Sequence, residues 1–202
     1  MSKSTSAPGR PPVTSRSELE RVALELFAER GFDATTVDAI ADAAGISRRT
    51  FFRYYPSKND VVWGDFEVQL DAMRAWLAAA DDSRTVLAVL SDAVVRFNSL
   101  PPEAARAHRQ RMSLILHVPA LQAHSNLRYA AWRAVVAEYV ARRTGAGPED
   151  ALPQLVGHVA LGAAVASYER WLADESSDLS SLMASSFAEL SAGFPTVNDP
   201  RQ

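Results

Sequence analysis

Cysteine is absent from the 202 residues. That excludes disulfides and thiolate metal sites, and with them a stapled scaffold. Histidine is scarce: His108, His117, His124 and His158. No two stand three or four residues apart and there is no His-Glu-x-x-His, so no metal site is expected. A Gly-x-Ser-x-Gly elbow, a phosphate loop and a Gly-x-Gly-x-x-Gly are all missing, which argues against an enzyme and against a cofactor. Alternating strand patterns and internal repeats are missing too. No run approaches the roughly 18 apolar residues of a membrane span. The opening Met1-Ser-Lys-Ser-Thr-Ser-Ala-Pro-Gly-Arg-Pro-Pro has no apolar signal core. These absences predict a cytoplasmic protein without a membrane partner.

What is present is a 48% hydrophobic chain, ordinary for a soluble protein. Its net charge is −3, but the distribution is uneven. Residues 1–58 hold nine Lys/Arg and seven Asp/Glu, giving +2; the remainder holds 12 and 17, giving −5. The positive end coincides with Thr36 to Lys58, where a short helix, a turn at Gly45 and a second short helix are predicted. Ser47 caps the second helix, which carries Arg48, Arg49 and Arg53 among Phe51, Phe52, Tyr54 and Tyr55. Two short helices around a glycine turn form a helix-turn-helix signature. An Arg-rich second helix suits the DNA major groove. Local charge, not net charge, governs that contact.

Upstream, residues 1–13 read as a disordered basic tail. Gly9-Arg10-Pro11 is similar to minor-groove arms; a plain solubilising tail is the alternative. Thr14 or Ser15 caps a helix with Leu19, Val22, Ala23, Leu26 and Phe27 on one face and acidic Glu18 and Glu20 in its first turn. Gly31 ends it, and Thr35 or Thr36 caps the next.

The strings Leu26-Phe27-Ala28-Glu29-Arg30-Gly31-Phe32, Thr35-Thr36-Val37, Ile40-Ala41, Ala44-Gly45-Ile46-Ser47 and Thr50 through Lys58 resemble the N-terminal domain of TetR-family transcriptional regulators. Gly9-Arg-Pro-Pro, the stretch Ile46–Tyr55 and Lys58-Asn-Asp-Val-Val-Trp-Gly-Asp-Phe are similar to an actinobacterial branch associated with mycofactocin biosynthesis. The resemblance implies an all-α fold and a homodimer that represses transcription until a small molecule binds the C-terminal domain. It implies DNA contacts at Thr36, Ser47, Arg48, Arg49, Thr50, Phe52, Arg53, Tyr54 and Lys58. Arg48 and Arg49 are the expected base readers. Thr36, Thr50, Tyr54 and Lys58 are expected on phosphates, and Arg53 on either. Many relatives have Gly where this chain has Arg49 and Tyr where it has Phe52. Arg49 offers a bidentate donor, whereas Phe52 offers only ring contacts.

The expected layout is a head at 14–56, a helical ligand-binding and dimerisation domain at 57–194 and a tail at 195–202, with about nine helices. One long helix is predicted from Ser57 to Ala80 on the stripe Val62, Phe66, Leu70, Met73 and Leu77. Within the family such a helix links head to ligand core. Further helices are predicted at 84–98, 102–117, 119–144, 148–175 and 178–193. A mostly apolar effector site is expected among Met73, Phe97, Met112, Leu116, His117, His124, Arg128 and Trp132. His or Arg at its mouth would suit a fatty acid or acyl-CoA. The helix 148–175 is apolar nearly all round, which asks for cover on every side. Its small residues and the last helix predict a dimer face at Gly157, Ala160, Gly162, Ala164, Tyr168, Leu182, Phe187 and Leu190. The expected partners are therefore an operator duplex, a second copy and an apolar effector. The alternatives are a helical lipid-binding module or an architectural DNA protein.

Overall fold

Side-chain caps set most helix starts near the N-terminus. In the computed structural model, which describes residues 15–99 and 101–194, Ser15 accepts from the backbone of Glu18 and starts α1 (Arg16–Arg30). Thr36 does the same for α2 (Val37–Ala43), Ser47 for α3 (Arg48–Tyr54) and Ser57 for α4 (Lys58–Val61). Each cap satisfies a backbone N–H that the helix itself leaves open. The proposed minor-groove segment Gly9–Pro11 lies outside the described residues. Leu19, Phe27, Ile40, Phe51 and Tyr55 close the core of the head. Phe51 is fully buried, and its truncation to Ala would cost about 3–5 kcal/mol.

The predicted helix from Ser57 to Ala80 is not continuous. α4 stops at Val61, and α5 (Phe66–Ala78) starts after a turn. Gly64 sits in that turn with φ +54°, a left-handed conformation that glycine adopts without penalty. The apolar stripe runs through the break because Val62, Trp63 and Phe66 are buried either side of it, so periodicity alone did not reveal it. The break raises the expected nine helices to ten among the described residues.

The body continues with α6 (Val86–Phe97), a 3-10 turn at Pro102–Ala104, α7 (Ala105–His117), α8 (Pro119–Thr144), α9 (Ala151–Ala173) and α10 (Leu179–Ala192). These match the predicted segments to within a few residues. No strand occurs among the described residues.

α9 is, contrary to the sequence expectation, long and apolar enough by composition to cross a membrane. Within the fold its Pro153, Gly157, Ala160, Ala164, Tyr168 and Trp171 are buried against neighbouring helices of the same chain. Gly157 is needed there, because a Cβ would come within 3.1 Å of the Arg133 carbonyl oxygen on α8. Thus Gly157, Ala160, Ala164 and Tyr168, and Phe187 on α10, do not lie on a free face as expected; the chain itself covers them. The opposite side of α9 carries Leu152, Leu155, Val159 and Gly162, all exposed. Leu182 and Leu190 on α10 are half-buried.

Candidate nucleic-acid interface and ligand cavity

α3 presents one face inward and one outward. Phe51 anchors the inner face. Arg48, Arg49, Phe52 and Arg53 are exposed on the other. Arg49, Thr50, Phe52 and Arg53 line a shallow depression on that surface. Arg48 Nη1 lies 2.8 Å from Asp38 Oδ2 on α2, with both side chains more than half exposed. A pair so exposed is worth about 0–1 kcal/mol, so a phosphate or base can replace Asp38 at little cost. The Arg48 guanidinium also lies 5.5 Å from the Phe52 ring centre, and Arg53 lies 5.4 Å from that of Tyr54. Among the described residues Arg49 makes no ion pair, which leaves its fork of donors open. Thr50 Oγ1 and Ser47 Oγ are 2.9 Å apart, and Thr36 Oγ1 accepts from Ala39 N.

Lys58 is placed differently from the expectation of a free phosphate contact. Its Nζ donates to the carbonyl oxygens of Phe32 at 2.8 Å and Thr35 at 3.0 Å, and sits 4.4 Å from the Phe32 ring centre. It ties the start of α4 to the loop after α1. Arg16 was not singled out by the sequence. Its Nη2 donates to Tyr54 O at 2.7 Å and its guanidinium lies over the Tyr55 ring. It thereby satisfies a free carbonyl at the end of α3, a partnership across 38 residues that no local pattern reveals.

Behind the head lies a cavity of about 310 Å³. Its apolar wall includes Trp63, Phe66, Phe97, Met112, Ile115 and Trp132, and its polar wall includes Glu20, Asn98, His108, Arg111, Tyr129 and Tyr168. Of the expected effector contacts, Phe97, Met112 and Trp132 line it; Ala164 and Tyr168, expected at a dimer face, line it as well. Met73 and Leu116 instead pack in the core. His117 is held at Ser113 O on its own helix and borders a separate outer groove.

His124 and Arg128 also lie elsewhere. Both approach Asp60 Oδ1, at 3.1 and 3.2 Å, and Arg128 also pairs with Glu67. They face α4 and α5 because that side of α8 meets those helices, and so clamp the segment that follows the head to α8. Burial alone would raise the Asp60 carboxyl, but the Ser57 hydroxyl, with His124 and Arg128, holds it below the usual carboxylate range.

The polar wall of the cavity also fastens the head. Arg111 Nη2 on α7 donates to Glu20 Oε2 on α1 at 2.9 Å. The buried Tyr55 hydroxyl, just past α3, donates to Glu20 Oε1 at 2.5 Å. Burial first, and then the neighbouring Glu20, push that phenol far above its usual pKa. The Glu20–Arg111 pair crosses the α4–α5 turn directly over Gly64, where a Cβ would fall 2.4 Å from Arg111 Nη1 and 2.7 Å from Glu20 Oε2. Four segments therefore meet at one ion pair. The only sequence signal was that Glu20 falls in register with Ala23, Leu24 and Phe27 on the buried side of α1.

Deeper in, Tyr168 gives its proton to Asn98 Oδ1 at 2.6 Å. The His108 Nε2–H is therefore the donor to the Tyr168 oxygen, at 2.8 Å. Burial, with Arg111 nearby, pushes the His108 imidazole down to about 4. It is neutral at pH 7.

Residues 21–62 match the model of the bacterial regulatory proteins of the tetR family, and residues 84–195 match the MftR C-terminal domain. The chain is 43% identical over 190 residues to MftR of Mycobacterium tuberculosis, a transcriptional regulator assigned to mycofactocin biosynthesis. That match covers 94% of this chain and 96% of the relative. The FadR repressor of Thermus thermophilus, solved in complex with lauroyl-CoA, is 26% identical with a TM-score of 0.56 over 89% of this chain and 94% of that one. FadR of Bacillus subtilis shares the fold at 18% identity, with a TM-score of 0.62 over 89% and 99% of the two chains. An Arg-bearing recognition helix on an all-helical body with an internal cavity, together with these matches, makes the chain a TetR-family transcriptional regulator with an MftR-type C-terminal domain.

Proposed function

We propose that the protein is a homodimeric repressor that holds a near-palindromic operator and is released by an apolar effector bound in the 310 Å³ cavity. The head, 14–56, places α3 in the major groove. Arg49 and, once freed from Asp38, Arg48 read base edges, while Thr36, Thr50 and Tyr54 fix register on phosphates. The observation that carries the effector reading is the double role of Glu20 and Arg111. They line the cavity, and they tether α1, Tyr55 and the Gly64 turn. A ligand that binds better when this junction is rearranged shifts the heads away from the operator-binding state. The Thermus thermophilus relative holds lauroyl-CoA, which makes acyl thioesters the first effectors to test. In a gel shift on the chain's own upstream region, lauroyl-CoA should weaken operator binding at least tenfold. No release by any acyl-CoA or fatty acid would sink this effector class.

The two contact types separate by mutation. Arg49→Ala should lose about 1–3 kcal/mol of discrimination at one base pair of each half-site. Lys58→Ala should weaken every sequence alike, because it releases the loop after α1 rather than a base, and should lower the melting temperature as well. A change of sequence preference in Lys58→Ala alone would reverse these roles.

The dimer face we assign to the outward side of α9 (Leu152, Leu155, Val159, Gly162) with Leu182 and Leu190 of α10. Exposed Leu155 and Val159 are 59% and 41% accessible in the single chain, and a second copy would cover them across a two-fold axis. Val159→Glu should give monomers in sedimentation at micromolar concentration and lose operator binding. Dimers that persist unchanged would move the interface elsewhere.

A further inference from the structure

Two polar atoms in the cavity wall are buried without a hydrogen-bond partner among the described residues: the indole Nε1–H of Trp63 and the hydroxyl of Tyr129. The two rings meet nearly edge to face, with centroids 5.9 Å apart. Trp63 is 8% exposed, so bulk water does not serve it. An indole N–H can only donate. The Ser125 hydroxyl, a turn away on α8, gives its proton to Leu121 O at 2.7 Å and stands near the Tyr129 hydroxyl only outside hydrogen-bonding geometry. Buried donors left without acceptors are rare in native folds, because nothing offsets their desolvation. Two such donors on adjoining rings of a ligand cavity point to an acceptor that arrives with the ligand.

The charges in the same wall are already matched. Arg111 is bonded to Glu20, and it is the one permanent cation among the described residues that line the cavity. His108 is neutral and bonded to Tyr168. Glu20 and Asp65 add negative charge to the wall. An entering carboxylate would meet no free cation and would have to take Arg111 from Glu20. A carbonyl oxygen needs only donors.

Resting on the reading of this cavity as the effector site, we propose that it selects apolar ligands bearing a neutral carbonyl, as in an ester, thioester or ketone, which Trp63 and Tyr129 hold by hydrogen bonds, over the corresponding free carboxylate. Calorimetry on the full chain at pH 8 tests this with two matched pairs: lauroyl-CoA against S-dodecyl-CoA, which lacks the carbonyl, and methyl laurate against laurate. Lauroyl-CoA should bind about tenfold tighter than its thioether, and methyl laurate at least tenfold tighter than laurate. Trp63→Phe and Tyr129→Phe should each remove most of the first difference. Both variants should melt at or above the wild-type temperature, since each deletes an unmatched polar group; a purely structural role would lower it. Ala164→Phe and Leu161→Trp, which fill the cavity, should block all four compounds. If they block binding but the pairs bind alike, the carbonyl selection is wrong and the cavity reading stands. If no compound binds, or binding ignores both filling variants, the cavity reading fails and this proposal with it.

Discussion

Glu20→Ala should destabilise the protein by about 2–4 kcal/mol, read as a lower urea midpoint at unchanged slope. Three losses combine. The Tyr55 hydroxyl stays buried with no acceptor. Arg111, whose side chain is 23% exposed, keeps its charge but loses its partner. The α1–α7 contact across Gly64 loses its only ion pair among the described residues. The partial exposure of Arg111 puts the loss toward the lower end of what breaking a buried pair costs. Glu20→Gln is the informative companion. Its amide oxygen can still accept from Tyr55, so the cost should fall to about 1 kcal/mol. The same variant removes the charge that holds Arg111, so the junction should rearrange more readily and lauroyl-CoA should release the operator at lower concentration. A Glu20→Ala protein as stable as wild type would show that the junction is not a fastening.

Acidification should destabilise the fold through His108. Its folded-state pKa of about 4 lies below the ordinary 6.5, so the unfolded chain binds the proton more readily. Stability from this residue is complete above about pH 7 and falls as pH drops through 6.5 toward 4. The expected loss is about 2 kcal/mol by pH 5 and about 3 kcal/mol in the limit. His108→Phe retains a ring beside Tyr168 and Trp171, and Tyr168 still donates to Asn98. Its stability should therefore fall less steeply than wild type between pH 7.5 and pH 5. Parallel curves would mean that His108 is protonated in the fold, or solvated well enough for its burial not to matter.

The head was largely legible in the chain because its rules are local. Ser15, Thr36, Ser47 and Ser57 are caps that act within three residues, and Gly45 turns the chain where it stands. The outward Arg48, Arg49, Phe52 and Arg53 follow from the inward Phe51 by helical period alone. The body was legible only as helices. His124 and Arg128 looked like polar groups of a ligand site because they stand among apolar residues of α8. Asp60, 64 residues away from His124, decides that they hold α4 to α8 instead. The small residues of α9 looked like a subunit seam, and Gly157 proved to serve contact with α8. A glycine inside a helix announces close packing but not the identity of the neighbour.

The sequence by itself determined most helix boundaries, the outward arginines of α3 and their charge, since these rest on capping, periodicity and residue chemistry within a turn or two. Only the tertiary structure decided which polar groups meet: Glu20 with Arg111 and Tyr55, Lys58 with the carbonyls of Phe32 and Thr35, and the Trp63 Nε1–H and Tyr129 hydroxyl with no hydrogen-bond partner among the described residues. It also decided that the linking helix breaks at Gly64. Those outcomes depend on where helices distant in sequence come to rest, and a one-dimensional pattern carries the period of a buried face but not the partner that buries it.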